Sequence, residues 1–111
     1  MGRMAVIVCP TTVVEAPAEA VWRLLTVPEH YERWAGARAV GVKPPGPAVE
    51  GQRIDFERRR MGRRWKFHFE VGLVDPSRSL ELTVRLPLGV VNHERIVLSP
   101  AGERRTRVTF N

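Results

Sequence analysis

In the second half of the chain, apolar and polar residues alternate with a period of two. After Gly51, Ile54 and Phe56 alternate with Arg53, Asp55 and Glu57, so one face of the segment is apolar and the other charged, as in a half-buried strand. Trp65, Phe67, Phe69 and Val71 then alternate with Lys66, His68 and Glu70. Beyond the turn at Asp75-Pro76-Ser77, Leu80, Leu82, Val84 and Leu86 alternate with Glu81, Thr83 and Arg85. Pro87 and Gly89 close that strand, and Val90 to Leu98 reads as the next. Pro100-Ala101-Gly102 turns, and Arg105 to Phe110 is the last strand. Arg38 to Lys43 is a shorter strand, stopped by Pro44-Pro45-Gly46-Pro47, a run that cannot continue a ladder.

The first part of the chain reads differently. Ala5 to Glu15 is β-branched and apolar and predicts a strand, with Pro10 implying an edge position or a bulge because it has no N–H to donate. Between Ala16 and Leu25 the period becomes helical: Pro17 suits the first helical position, Glu19 favours the helix N-terminus, and Ala18, Val21, Leu24 and Leu25 share a face. A second helix begins at Pro28, with Val27, Tyr31 and Trp34 spaced i, i+4 and i+7, and ends at Gly36. These elements predict an α+β fold: a curved antiparallel sheet of seven strands, with two short helices after the first.

One face of such a sheet must be kept dry. Val21, Leu24, Leu25, Tyr31 and Trp34 offer little cover for Ile54, Phe56, Trp65, Phe67, Phe69 and the apolar residues from Leu80 to Leu86. The pattern therefore predicts either a cavity under the sheet or a missing apolar element.

At 111 residues and 43% hydrophobic, the chain suits one domain spanning 1–111. No apolar run is long enough to span a membrane, and Ala5 to Cys9 is too short for a secretory signal, so a cytoplasmic location is expected. Cys9, the single cysteine, has no CxxC or histidine neighbour and reads as a strand residue. The net charge of +6 admits nucleic acid, an anionic membrane or an acidic ligand as partner. However, 16 of the 18 basic residues are arginine, a bias that GC-rich coding also produces. Phosphate loops, nucleophile elbows, HExxH and EF-hand loops are missing, and His30, His68 and His93 are dispersed. No metal or cofactor is expected, and a nucleic-acid partner is disfavoured because no aromatic residue interleaves the hairpin arginines before Trp65.

A family resemblance fits this pattern. Val14-Glu-Ala-Pro-Ala-Glu-Ala-Val-Trp22, Val27-Pro-Glu-His-Tyr-Glu-Arg-Trp34, Gly51 before a strand and Leu88-Gly-Val-Val-Asn-His-Glu-Arg-Ile96 together resemble the START-like, or SRPBCC, superfamily, in its polyketide cyclase/dehydrase-like and lipid-transport branch. The resemblance implies a helix-grip fold around a deep cavity for lipids, polyketides or quinone-like molecules. Its lining is expected from Trp22, Tyr31, Trp34, Phe56, Phe67, Phe69, Leu82, Val84 and Glu94, with Tyr31 and Trp34 at the mouth. These aromatics can also be plain core.

Two phasings of the strand from Val90 fit. One turns Asn92, Glu94, Ile96 and Leu98 inward and buries more apolar surface; the other turns in His93 and Arg95. In the first, Glu94 is the candidate catalytic group, a general acid or base, or else the partner of a rim arginine. His68 reads as a solvated or cross-strand-paired histidine. The family's long C-terminal helix has no counterpart before Asn111, so the open sheet face is expected to be covered by a missing segment or by a second copy in a homodimer. Three functions follow: binding of an apolar ligand, cyclase or dehydrase catalysis, or contact with RNA or ribosomes through the basic hairpin from Arg58 to Lys66.

Overall fold

The computed structural model describes residues 10–110, so of the strand predicted from Ala5 to Glu15 the part from Ala5 to Cys9, with Cys9 itself, lies outside the described residues. The element order matches the sequence reading. Strand β1 (Thr11–Val14) is followed by helix α1 (Ala18–Thr26), a 3₁₀ turn at Pro28–His30 and helix α2 (Tyr31–Ala35). Six strands complete the chain: β2 (Arg38–Lys43), β3 (Arg53–Arg60), β4 (Arg63–Asp75), β5 (Ser79–Arg85), β6 (Val91–Pro100) and β7 (Thr106–Phe110). They form one antiparallel sheet in the order β1-β7-β6-β5-β4-β3-β2. β1 is thus an edge strand, where Pro10 is tolerated, and it pairs with β7 through Thr11 opposite Thr109.

The helices start and stop for local reasons. Pro17 sits just before α1 with extended backbone, one position earlier than expected, while its carbonyl accepts from the N–H groups of Ala20 and Val21. Glu19 complements the positive end of the helix and Arg23 the negative end. The helix predicted after Pro28 is divided, because the first turn winds tightly as 3₁₀ before α2 begins at Tyr31. Gly36 then ends it in the left-handed region at φ 70°, which costs a residue without a Cβ little.

Side chains lock the two helices together. The Trp34 indole N–H donates to the Leu24 carbonyl at 2.9 Å, and the Tyr31 hydroxyl donates to the Thr26 carbonyl at 3.2 Å. Burial, and then the nearby charge of Glu29, raise the Tyr31 pKa far above its ordinary value, so the hydroxyl remains a neutral donor. A second anchor lies in the proline-rich loop between β2 and β3. Gln52 is wholly buried, and its Nε2 donates to the carbonyls of Pro44, Gly46 and Pro47 at 2.9, 3.0 and 3.3 Å. The Ala48 N–H donates to the Thr26 carbonyl at 2.9 Å, tying that loop to the end of α1.

Alternation sorts the sheet residues as predicted, up to two irregularities. Ile54, Phe56, Phe69, Val71, Leu80, Leu82, Val84, Ile96, Leu98 and Val108 are all buried beneath the helices. A bulge between Val71 and Val74 sets two residues of β4 against one of β5, which leaves Leu73 60% exposed and returns Val74 to the core. Gly72 sits at that bulge, where a Cβ would lie 3.3 Å from the Glu81 Cβ. A second bulge, between Ala39 and Gly41, turns Val40 outward on the edge strand β2. The anticipated shortage of cover proves local: the short helices close most of the apolar face and leave one end of it open.

Candidate functional site

That open end is a concave pocket of about 390 Å³ lined by Trp34, Ala35, Arg58, Phe67, Phe69, Val84, Leu86, Asn92, Glu94 and Phe110. Each side chain arrives by simple strand or helix geometry. Phe67 and Phe69 come from one face of β4, and Val84 from β5 lies opposite both Phe69 and Asn92. Glu94, opposite Leu82, points the same way two residues further along β6. Trp34 comes down from α2, its ring 6.0 Å from that of Phe69 and 5.4 Å, edge-on, from that of Tyr31. Beneath, Phe56 stacks on Phe67 at 5.0 Å and meets Phe69 at 4.5 Å, so the pocket floor is backed by rigid aromatic packing.

Of the predicted lining, Trp34, Phe67, Phe69, Val84 and Glu94 are present. Tyr31, Phe56 and Leu82 are corrected to core: at 1%, 1% and 3% exposure they lie behind the lining rather than in it. Tyr31 is buried where a mouth residue was expected, because its hydroxyl is held at the end of α1. Trp22 packs against the core from α1, outside the pocket. Arg58, Leu86 and Phe110 join the site instead. Arg58 continues the inward phase of Ile54 and Phe56, a signal that its place in an arginine run obscured.

The strand from Val91 adopts the phase with Ile96 and Leu98 buried. Glu94 is half-buried and shares the pocket with Asn92 and Arg58, while His93 faces the other side of the sheet, its Nδ1 3.3 Å from the Thr83 hydroxyl. Among the described residues no ion pair or hydrogen bond joins the Glu94 carboxylate or the Arg58 guanidinium to another side chain. The pocket therefore offers an apolar floor, one carboxylate, one amide and one guanidinium. These groups can hydrogen-bond the polar end of a largely apolar molecule. Trp65, counted with the apolar face, shares its phase but lies past the helices and is 43% exposed.

The convex face carries a groove of about 420 Å³ whose charges are largely spent on one another. Arg53 pairs with Asp55 at 3.0 Å, and Glu70 accepts from Arg85 Nε at 2.8 Å and lies 3.1 Å from His68 Nε2. Hydrogen bonds from His68 and then Arg85 lower the Glu70 pKa below the usual carboxylate range. A carboxylate held low in the native state stabilises the fold above its unfolded value of about 4.3, and that contribution is lost as pH falls through the lower native value. We expect NMR titration to place Glu70 below the ordinary glutamate value, and Arg85→Ala to raise it toward that value. An unchanged Glu70 titration in Arg85→Ala would remove this cause. Among the described residues no three histidine, cysteine or acidic side chains converge to hold a metal ion, and no helix is long and apolar enough to cross a membrane.

Comparison with solved structures returns the same architecture. A protein from Arthrobacter aurescens superposes with a TM-score of 0.77 at 18% identity, over 96% of this chain and 73% of its own. CalU16 from Micromonospora echinospora gives 0.61 at 20% identity over 90% of this chain, and DynU16, a protein of the dynemicin biosynthetic locus, gives 0.65 at 22% over 93%. The chain spans 55% of CalU16 and 35% of DynU16. At these identities the likeness is one of fold. Among curated proteins nothing matches. The sequence profile described as polyketide cyclase / dehydrase and lipid transport matches residues 6–111, nearly the whole chain, and so the chain belongs to that family of helix-grip, SRPBCC-type domains.

Proposed function

We propose that the chain binds a hydrophobic small molecule in the concave pocket, its apolar body against Trp34, Phe67, Phe69 and Phe110 and its polar end toward Asn92, Glu94 and Arg58. The observation that carries this reading is the lining itself. An aromatic floor that is partly open to solvent lies in a concavity, with a few polar groups at one side. The family description, which joins polyketide chemistry with lipid transport, supports an apolar ligand class.

Nile red, a neutral apolar dye, serves as the probe. Binding should saturate at one dye per chain, and Phe67→Ser should weaken it about tenfold, the effect of about 1.4 kcal/mol of lost contact. Equal affinity in the two proteins would overturn this placement of the site. A catalytic reading rests on Glu94, the one carboxylate in the pocket. On that reading, Glu94→Gln leaves dye binding intact and removes turnover of a polyketide-like substrate.

A further inference from the structure

The end of the sheet at which the pocket opens carries two turns that each hold a large apolar residue at positive φ just before a glycine. In the turn joining β3 to β4, Met61 and Gly62 both have positive φ, 53° and 74°; after β5, Leu88 and Gly89 repeat this at 66° and 75°. A positive φ normally falls to Gly, Asn or Asp, because a larger side chain is strained there. Here it holds a methionine 94% exposed and a leucine 98% exposed. Strain is accepted in both turns, and in both the result is a large apolar side chain in water. Val90, Val91 and Trp65 add partly exposed apolar surface nearby. Register places both turns at one end: Arg85 at the end of β5 lies opposite His68, and β4 runs from His68 back to the β3 turn.

Cations flank the β3–β4 tip. Arg59 lies opposite Arg64 and Arg60 opposite Arg63, two adjacent like-charge cross-strand pairs, an arrangement that weakens a hairpin unless an anion bridges it. Arg64 reaches Glu57 at 3.2 Å. Among the described residues Arg58, Arg59, Arg60, Arg63 and Lys66 pair with no carboxylate. We propose that this end of the sheet docks on an anionic membrane, with Met61 and Leu88 entering the boundary between headgroups and acyl chains and the hairpin arginines taking the lipid phosphates. Aliphatic tips favour a membrane over RNA, since they offer no flat ring on which a base can stack. The proposal stands whether or not the pocket holds a ligand.

Sedimentation with vesicles tests it, using phosphatidylcholine alone and phosphatidylcholine containing about a third phosphatidylglycerol. The chain should bind the anionic vesicles, less so as salt rises, and the neutral ones weakly. Arg60→Ser with Arg63→Ser should lower the partition about 25-fold, about fivefold for each charge. Met61→Ser with Leu88→Ser should lower it about tenfold. Trp65 emission should shift to the blue on binding, a change missing in Trp65→Phe. All these positions are exposed, and unchanged thermal melts would show that the variants remain folded. Failure to bind anionic vesicles would overturn the proposal. So would full binding by the Met61/Leu88 variant, or displacement from vesicles by single-stranded RNA with the same arginine dependence.

Discussion

Phe56→Ala is expected to destabilise the protein by about 3–5 kcal/mol, the range for truncating a fully buried aromatic residue. The ring is 1% exposed and is the meeting point of the two layers. It lies 5.9 Å from Tyr31 of α2, 5.0 Å from Phe67 and 4.5 Å from Phe69. Little near it can move to fill the space, because Tyr31 is held by its hydrogen bond to the end of α1. Against a total stability of about 5–15 kcal/mol for a domain, the loss brings the fold close to its limit. Urea unfolding measures it. Phe67→Ala, whose ring is partly exposed in the pocket, should cost clearly less; equal losses would show that the two rings do not divide into core and lining as described.

Gln52→Ala is expected to cost about 2–4 kcal/mol, although no charge and little apolar area are removed. The buried amide supplies the donors that the carbonyls of Pro44, Gly46 and Pro47 would otherwise lack, in a loop too rich in proline to satisfy them itself. Its Oε1 is buried with no partner among the described residues, which keeps the net contribution below the sum of the bonds. Rotating the amide by half a turn would set that oxygen against the three carbonyls, so the orientation is fixed. Gln52→Glu should therefore do at least as much damage as alanine, because the carboxylate puts acceptors where donors are needed. A Gln52→Glu protein that melts with the wild type would contradict this account.

Strand alternation and the i, i+4 spacing of the helices made the sheet, the helices and half of the pocket legible. Phe67, Phe69 and Val84 fall on the inward face by counting in twos, and burial of Ile96 and Leu98 selects the phase that brings Glu94 in with them. Counting stopped being informative where cover, rather than phase, decides exposure. Trp65 and Phe67 share a face, yet only the second lies near the helices. Tyr31 and Trp34 are one helical turn apart, and which is sealed and which lines the pocket depends on the hydrogen bonds each finds in α1. Gln52 reads as an ordinary polar residue before a strand, since its partners are loop carbonyls that only folding gathers. The bulges left only a faint mark: Gly72 and Gly41, each lone inside a strand, permit alternation to slip there, but do not say that Leu73 will be the residue sent outward.

The pairing of β1 with β7 bears on how the protein is made. Thr11 and Thr109 face one another across 98 positions of chain, and Arg105 reaches back to Glu15 at 2.8 Å. Strands β2 to β6, by contrast, each pair with a strand close in sequence, over loops that close at little entropic cost. A ribosome delivers β1 before β2 to β6 and its partner after them. While β2 to β6 emerge, one edge strand has nothing to pair with, and the meander that will receive it can already assemble turn by turn.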